Sequence, residues 1–140
     1  DEGELAWACR IACADEFLSR LPNGLDTDLG QGGVNLSGGQ KQRLCIARTL
    51  LKQPKILIFD DSTSAVDTAT ETRIRQGLEE SLPASTKLII SQRISSVQHA
   101  DRIVVLDNGR IDAVGAHREL TERCAIYRDM VESQRKGAEL

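Results

Sequence analysis

The 140-residue sequence predicts an α/β fold with a mostly parallel sheet flanked by helices. Three observations carry this. Lys55-Ile56-Leu57-Ile58-Phe59-Asp60 is a short aliphatic run without polar alternation, the pattern of a strand covered on both faces of a parallel sheet. Between it and a second such run, Thr86 to Ser91, lies a stretch from Asp67 to about Leu82 with Ile74, Leu78 and Leu82 at helical spacing. A third run, Arg102 to Leu106, leads through Asn108-Gly109, a strong hairpin signal, towards Ile111.

Upstream of these elements the chain is helical. Leu5, Ala8, Cys9, Ala12, Cys13, Phe17 and Leu18 recur at helical spacing, which predicts one helix from Glu4 to about Arg20. Pro22-Asn23-Gly24 stops it, and residues 22–35 form a connection broken by Gly24, Gly30, Gly32 and Gly33. A second helix is expected from Gly38 to about Lys52, with Leu44, Ala47 and Leu51 inward and Pro54 just beyond. Arg118 to about Ser133 offers two short helices. This divides the chain into a helical part over 1–52, an α/β part over 53–133 and a frayed tail over 134–140.

Composition narrows the function. Apolar residues make up 40% but aromatics only 3%, so the core is aliphatic. A formal charge of −3 argues against a nucleic-acid partner, which calls for a clustered basic excess. The apolar runs fall far short of the ~20 residues of a membrane span. The opening Asp1-Glu2-Gly3-Glu4 is the reverse of a basic leader. Cys9, Cys13, Cys45 and Cys124 form no C-x-x-C pair and read as buried, reduced thiols. His99 and His117 are isolated, so no metal site built from protein ligands alone is expected.

Two segments carry chemistry. In Ser37-Gly38-Gly39-Gln40, Ser37 can cap the following helix and Gln40 can complete a capping box. The two glycines leave the helix-start amides open to approach, and such termini attract anions. The segment reads either as a phosphate cradle or as an ordinary cap with two glycines. Asp60 and Asp61 stand at the C-terminal end of the first strand, where ligands of parallel sheets bind. A carboxylate there suits Mg²⁺ beside a nucleotide; the alternative is an acidic turn through Asp61-Ser62-Thr63-Ser64.

Together these segments resemble a known family. Leu36-Ser37-Gly38-Gly39-Gln40-Lys41-Gln42-Arg43 resembles the signature motif of the ATP-binding domains of ABC transporters. Ile56 to Asp60 resembles the Walker B strand, and Ser64-Ala65-Val66-Asp67 the D-loop. Ile89-Ile90-Ser91-Gln92-Arg93-Ile94-Ser95-Ser96-Val97 resembles the switch segment, which usually carries a histidine. The motifs follow the family's order and spacing, and the match runs from about Glu4 to about Arg128. Leu21 to Thr27 with Leu29-Gly30 resembles the exporter, or multidrug, branch.

The resemblance implies the C-terminal portion of an incomplete P-loop NTPase domain of the ABC type, with part of its helical subdomain over 1–52 and part of its core over 53–133. It implies ATP and Mg²⁺ as cofactors, with Asp60 holding the metal mostly through water. Its partners would be a second ABC ATP-binding domain and the transmembrane domains of one exporter, at the cytoplasmic face of the cell membrane. No G-x-x-x-x-G-K-[ST] loop occurs in the sequence. In the family that loop precedes the helical subdomain, so the chain is expected to be a fragment that alone hydrolyses no ATP.

Two further departures concern the site itself. Asp61 stands where the family has its catalytic glutamate, one methylene longer. Gln92 stands at the switch-histidine position and has no proton that titrates near neutrality. Both would serve the chain's own ATP site, whereas Leu36, Ser37, Gly38, Gly39 and Gln40 would serve the partner's. The combination implies the degenerate half of a heterodimeric exporter. A non-transport ABC ATPase and a non-hydrolytic regulatory ABC module are the alternatives. Gln31-Gly32 replaces the Glu-Arg common in the loop that meets the transmembrane domains, which leaves residues 27–33 as either that contact or a flexible linker.

Overall fold

The computed structural model describes residues 1–138. They fall into two units that divide after Leu88, each with an aliphatic core of its own.

In the first unit α1 (Glu2–Ile11) buries Ala8 and Cys9. The single helix expected to Arg20 is broken at Ala12–Ala14 and resumes as α2 (Asp15–Leu18). Cys13 adopts φ 53°. Its N–H donates to the Arg10 carbonyl at 3.0 Å, and the Ala14 N–H reaches the Cys9 carbonyl at 2.7 Å. These two bonds make a left-handed helix stop of the kind glycine usually provides. The reason is tertiary. Arg43 Nη1 donates to the Cys13 carbonyl at 2.9 Å, and its guanidinium stands 4.9 Å from the Phe17 ring centroid. Turning at Cys13 also buries Phe17 and Leu18. Cys9 and Cys13 are buried as expected, and Cys45 is exposed rather than buried.

Two short 3-10 turns, Gly24–Asp26 and Gln31–Gly33, occupy the glycine-rich connection. α3 (Gly38–Leu50) follows and buries Ile46, Ala47 and Leu50. Leu51, expected on the inward stripe, is exposed, because Leu50 rather than Leu51 turns to the core. β1 (Ile56–Asp60) and β2 (Thr86–Ile90) are neighbours in a two-stranded sheet. α4 (Thr68–Ser81) joins them as the crossover that parallel neighbours require. Ile74 and Leu78 of α4 are buried and Leu82 packs beside them, as their spacing predicts. α4 comes so close to α1 that a Cβ on Gly77 would meet Ile11 Cδ1 at 3.3 Å.

The two-sided burial expected of β1 is not what the described residues show. Leu57 is 2% exposed, whereas Ile56 and Ile58 on the opposite face are 64% and 62% exposed. The run is apolar on both faces, but the helices packed against it cover only one.

In the second unit, α5 (Ile94–Val97) precedes β3 (Ile103–Asp107) and β4 (Arg110–Gly115), which pair antiparallel. Asn108 and Gly109 both have positive φ, 45° and 75°, as the tight hairpin requires. α6 (His117–Arg123) and α7 (Ala125–Ala138) complete the unit. Its core gathers Ile94, Ile103, Val105, Leu120, Cys124 and Tyr127. His117 Nδ1 lies 2.9 Å from the Tyr127 hydroxyl, so this histidine is a packing residue with a polar partner. Fraying was expected from 134 onwards; α7 instead continues helical to Ala138, and residues 139–140 lie outside the described residues. No helix among the described residues is long and apolar enough to cross a membrane.

Candidate nucleotide site

Ser37 sits at the N-terminus of α3 with extended backbone, the geometry of a cap. Its Oγ accepts from the Gln40 N–H at 3.2 Å, and its own N–H donates to Gln40 Oε1 at 2.8 Å, which closes the predicted capping box. The Gln40 side chain is thereby spent on the helix start. Gly38 and Gly39 contribute the remaining first-turn amides, which have no acceptor within the helix. Leu36 is buried and anchors the segment in the core of the first unit.

The D-loop-like segment lies directly against this helix start. A Cβ on Gly39 would fall 2.6 Å from the Ala65 carbonyl oxygen, so only glycine admits the approach. On Gly38 the nearest atom would be Ala65 Cβ at 3.4 Å, an ordinary contact. One turn along α3, the Gln42 amide holds the same segment at two points. Its Nε2 donates to Ser64 Oγ at 3.1 Å, and its Oε1 accepts from the Ala65 N–H at 3.0 Å. Val66 is buried beneath, and Asp67 caps α4 by accepting from the Thr70 N–H at 2.9 Å. That backbone hydrogen bond holds the Asp67 carboxyl below its ordinary range.

Asp60 ends β1 and Asp61 follows it, both exposed. Asp61 adopts φ 49°, and its carbonyl accepts from the Ser64 N–H at 3.2 Å to close the turn into the D-loop-like segment. Aspartate is among the few residues enriched in that left-handed region. The strand-end carboxylate and the acidic turn are therefore the same feature. An exposed carboxylate at a strand end has the hard oxygen ligands that Mg²⁺ takes, and the amides of Gly38 and Gly39 suit a phosphate.

Gln92 belongs to the second unit, where it is exposed just past the end of β2. Its carbonyl accepts from Gln134 Nε2 of α7 at 2.7 Å. The first unit thus assembles Ser37 to Gln40 with Ser64 to Val66, and the second presents Gln92 on a tethered main chain. Sequence reasoning did not single out Gln42, Arg43 or Gln134 for any role. Gln42 and Arg43 lie inside the signature-like string, which was a usable signal; Gln134, in the expected frayed tail, had none.

Known proteins share both the sequence and the geometry. The family model described as ABC transporter matches residues 7–64. An ABC transporter ATP-binding protein of Mycoplasma genitalium is 50% identical over 128 residues, 91% of this chain and 20% of the relative. An ATP-dependent lipid A-core flippase of Alkalilimnicola ehrlichii is 48% identical over 134 residues, 96% of this chain and 23% of the relative. The solved structure of a bacterial Atm1-family ABC exporter with ATP bound superimposes with a TM-score of 0.92 at 41% identity, covering 96% of this chain and 24% of that one. The chain therefore spans about a fifth of the length of the curated relatives it matches. The motifs, the fold and these matches agree: the chain belongs to the ATP-binding domain family of ABC transporters.

Proposed function

We propose that this chain is the C-terminal portion of the nucleotide-binding domain of an ABC exporter, whose ATP binding and hydrolysis drive substrate export. The observation that carries the proposal is the α3 start. Gly38 and Gly39 offer amides without an acceptor within the helix, and Gln42 and Gly39 hold that start against Ser64 and Ala65. Such a terminus favours an anion. Leu36 to Gln40 would complete the ATP site of a second ABC ATP-binding domain. Asp60 would hold Mg²⁺, mostly through water, at the site of this chain's own domain. The transmembrane domains of the same exporter are the other partner, which places the chain at the cytoplasmic face of the cell membrane.

The chain's own site is the weaker one. A general base must reach its water within hydrogen-bond distance, and a misplacement of ~1 Å can cost ~10²-fold. Asp61 is one methylene short of the family's glutamate, and Gln92 carries no titratable proton. Two such changes at one site make this chain the degenerate member of a heterodimer, impaired at its own ATP and intact in what it gives its partner. The same two residues favour a regulatory, non-hydrolytic role for this site. Asp61→Glu combined with Gln92→His in the full heterodimer separates these readings. Hydrolysis at the chain's own site is expected to rise by about tenfold to a hundredfold. If neither this pair nor its reverse on the partner changes hydrolysis at either site, the asymmetry does not exist.

A further inference from the structure

The terminal helix α7 reaches the switch segment through one side chain. Gln134 Nε2 donates to the Gln92 carbonyl at 2.7 Å, and its Oε1 accepts from the Ile94 N–H at 2.9 Å. The two bonds straddle Arg93 and use the amide's two ends in roles that cannot be exchanged, since a carbonyl only accepts and an N–H only donates. The second bond also meets a need of α5. Its N-cap residue, Arg93, has no side-chain oxygen and makes no capping bond, so the first helical N–H, that of Ile94, is satisfied from α7 instead. Met130 and Val131, one turn before Gln134 on α7, pack against the core that contains Ile94. Apolar contact therefore sets the position of α7, and the amide sets the main chain at residues 92–94.

We propose that Gln134 is the positioning residue for position 92: it fixes the carbonyl from which the following peptide departs, and so the direction in which the side chain of residue 92 projects. This rests on reading position 92 as the switch. It makes the C-terminal helix part of the ATP site without touching nucleotide, and any displacement of α7 would be felt at residue 92.

The test uses the intact exporter carrying this chain, in the Asp61→Glu, Gln92→His background. Gln134→Ala is expected to lower kcat about tenfold while KM for ATP stays within about twofold, the split that a displaced catalytic group produces and a general loss of folded protein does not. In the same protein, hydrogen exchange at the Ile94 amide should quicken by about tenfold. Exchange at Leu120 and Cys124, whose amides bond within the helical segment, should not change. Unchanged exchange at Ile94 overturns the clamp whatever the site hydrolyses. Faster exchange with an unaltered kcat, in a background that has gained hydrolysis, overturns the positioning role. Should the background itself gain nothing, the switch reading has failed, and exchange at Ile94 alone decides whether Gln134 holds the segment.

Discussion

At Gly39 the Ala65 carbonyl oxygen occupies the space a methyl group would need. Two effects oppose each other on substitution. Alanine is a better helix residue than glycine by at most ~1 kcal/mol, and by less in a first turn. Overpacking against main chain costs ~1–3 kcal/mol, and at a contact of 2.6 Å the clash dominates. Gly39→Ala should therefore lower the urea midpoint and loosen the Gln42 bonds to Ser64 and Ala65. Gly38→Ala, whose Cβ would meet Ala65 Cβ at 3.4 Å, should leave the midpoint unchanged or raise it slightly. Equal effects of the two substitutions would show that the close approach is not what requires glycine. Arg43 works similarly through main chain, with its guanidinium shared between the Cys13 carbonyl, the Phe17 ring and Glu16.

Among the elements, α4 starts at the residue the sequence predicts. Asp67 precedes an apolar stripe at helical spacing, and the structure makes it the cap, with its carboxyl lowered chiefly by the Thr70 backbone N–H. Because the folded-state pKa lies below the unfolded one, the unfolded chain binds more protons in that interval. The contribution is fully present above the ordinary carboxylate range near ~4 and is lost as pH falls through the lowered value. Asparagine caps equally well and does not titrate, so Asp67→Asn should flatten the acid limb of stability measured by denaturant unfolding at a series of pH values. An acid limb as steep as in the unsubstituted chain would rule the cap out as a source. Glu16, lowered chiefly by its hydrogen bond to Arg73, contributes in the same direction and remains in the variant. The capping box at Ser37 and the hairpin at Asn108-Gly109 were equally readable, since each is written in neighbouring residues. The break at Cys13 was not: no glycine or proline marks it, and its cause, Arg43, lies thirty residues on.

At the scale of the whole chain, the core was legible only on the side the chain itself covers. Ile74 and Leu78 are buried as their spacing predicts; of the apolar run expected to be covered on both faces, Leu57 is buried while Ile56 and Ile58 stand exposed. The resemblance to the family's motifs was legible because each is a short string; their mutual placement was not. With no phosphate loop in the sequence, the purified 140-residue chain should show no ATP turnover above background in a phosphate-release assay; turnover that survives repurification would refute this. Two ties, one in each unit, share one property. Gly39 meets a carbonyl of residue 65, and Gln134 meets the main chain of residues 92 and 94, so in each case one partner contributes only main-chain atoms. Short of proline at 94, which has no N–H to donate, residues 65, 92 and 94 can change their side chains while these main-chain atoms stay in place. A search for correlated substitutions would therefore find no signal at these contacts, because the information for each is carried on one side alone.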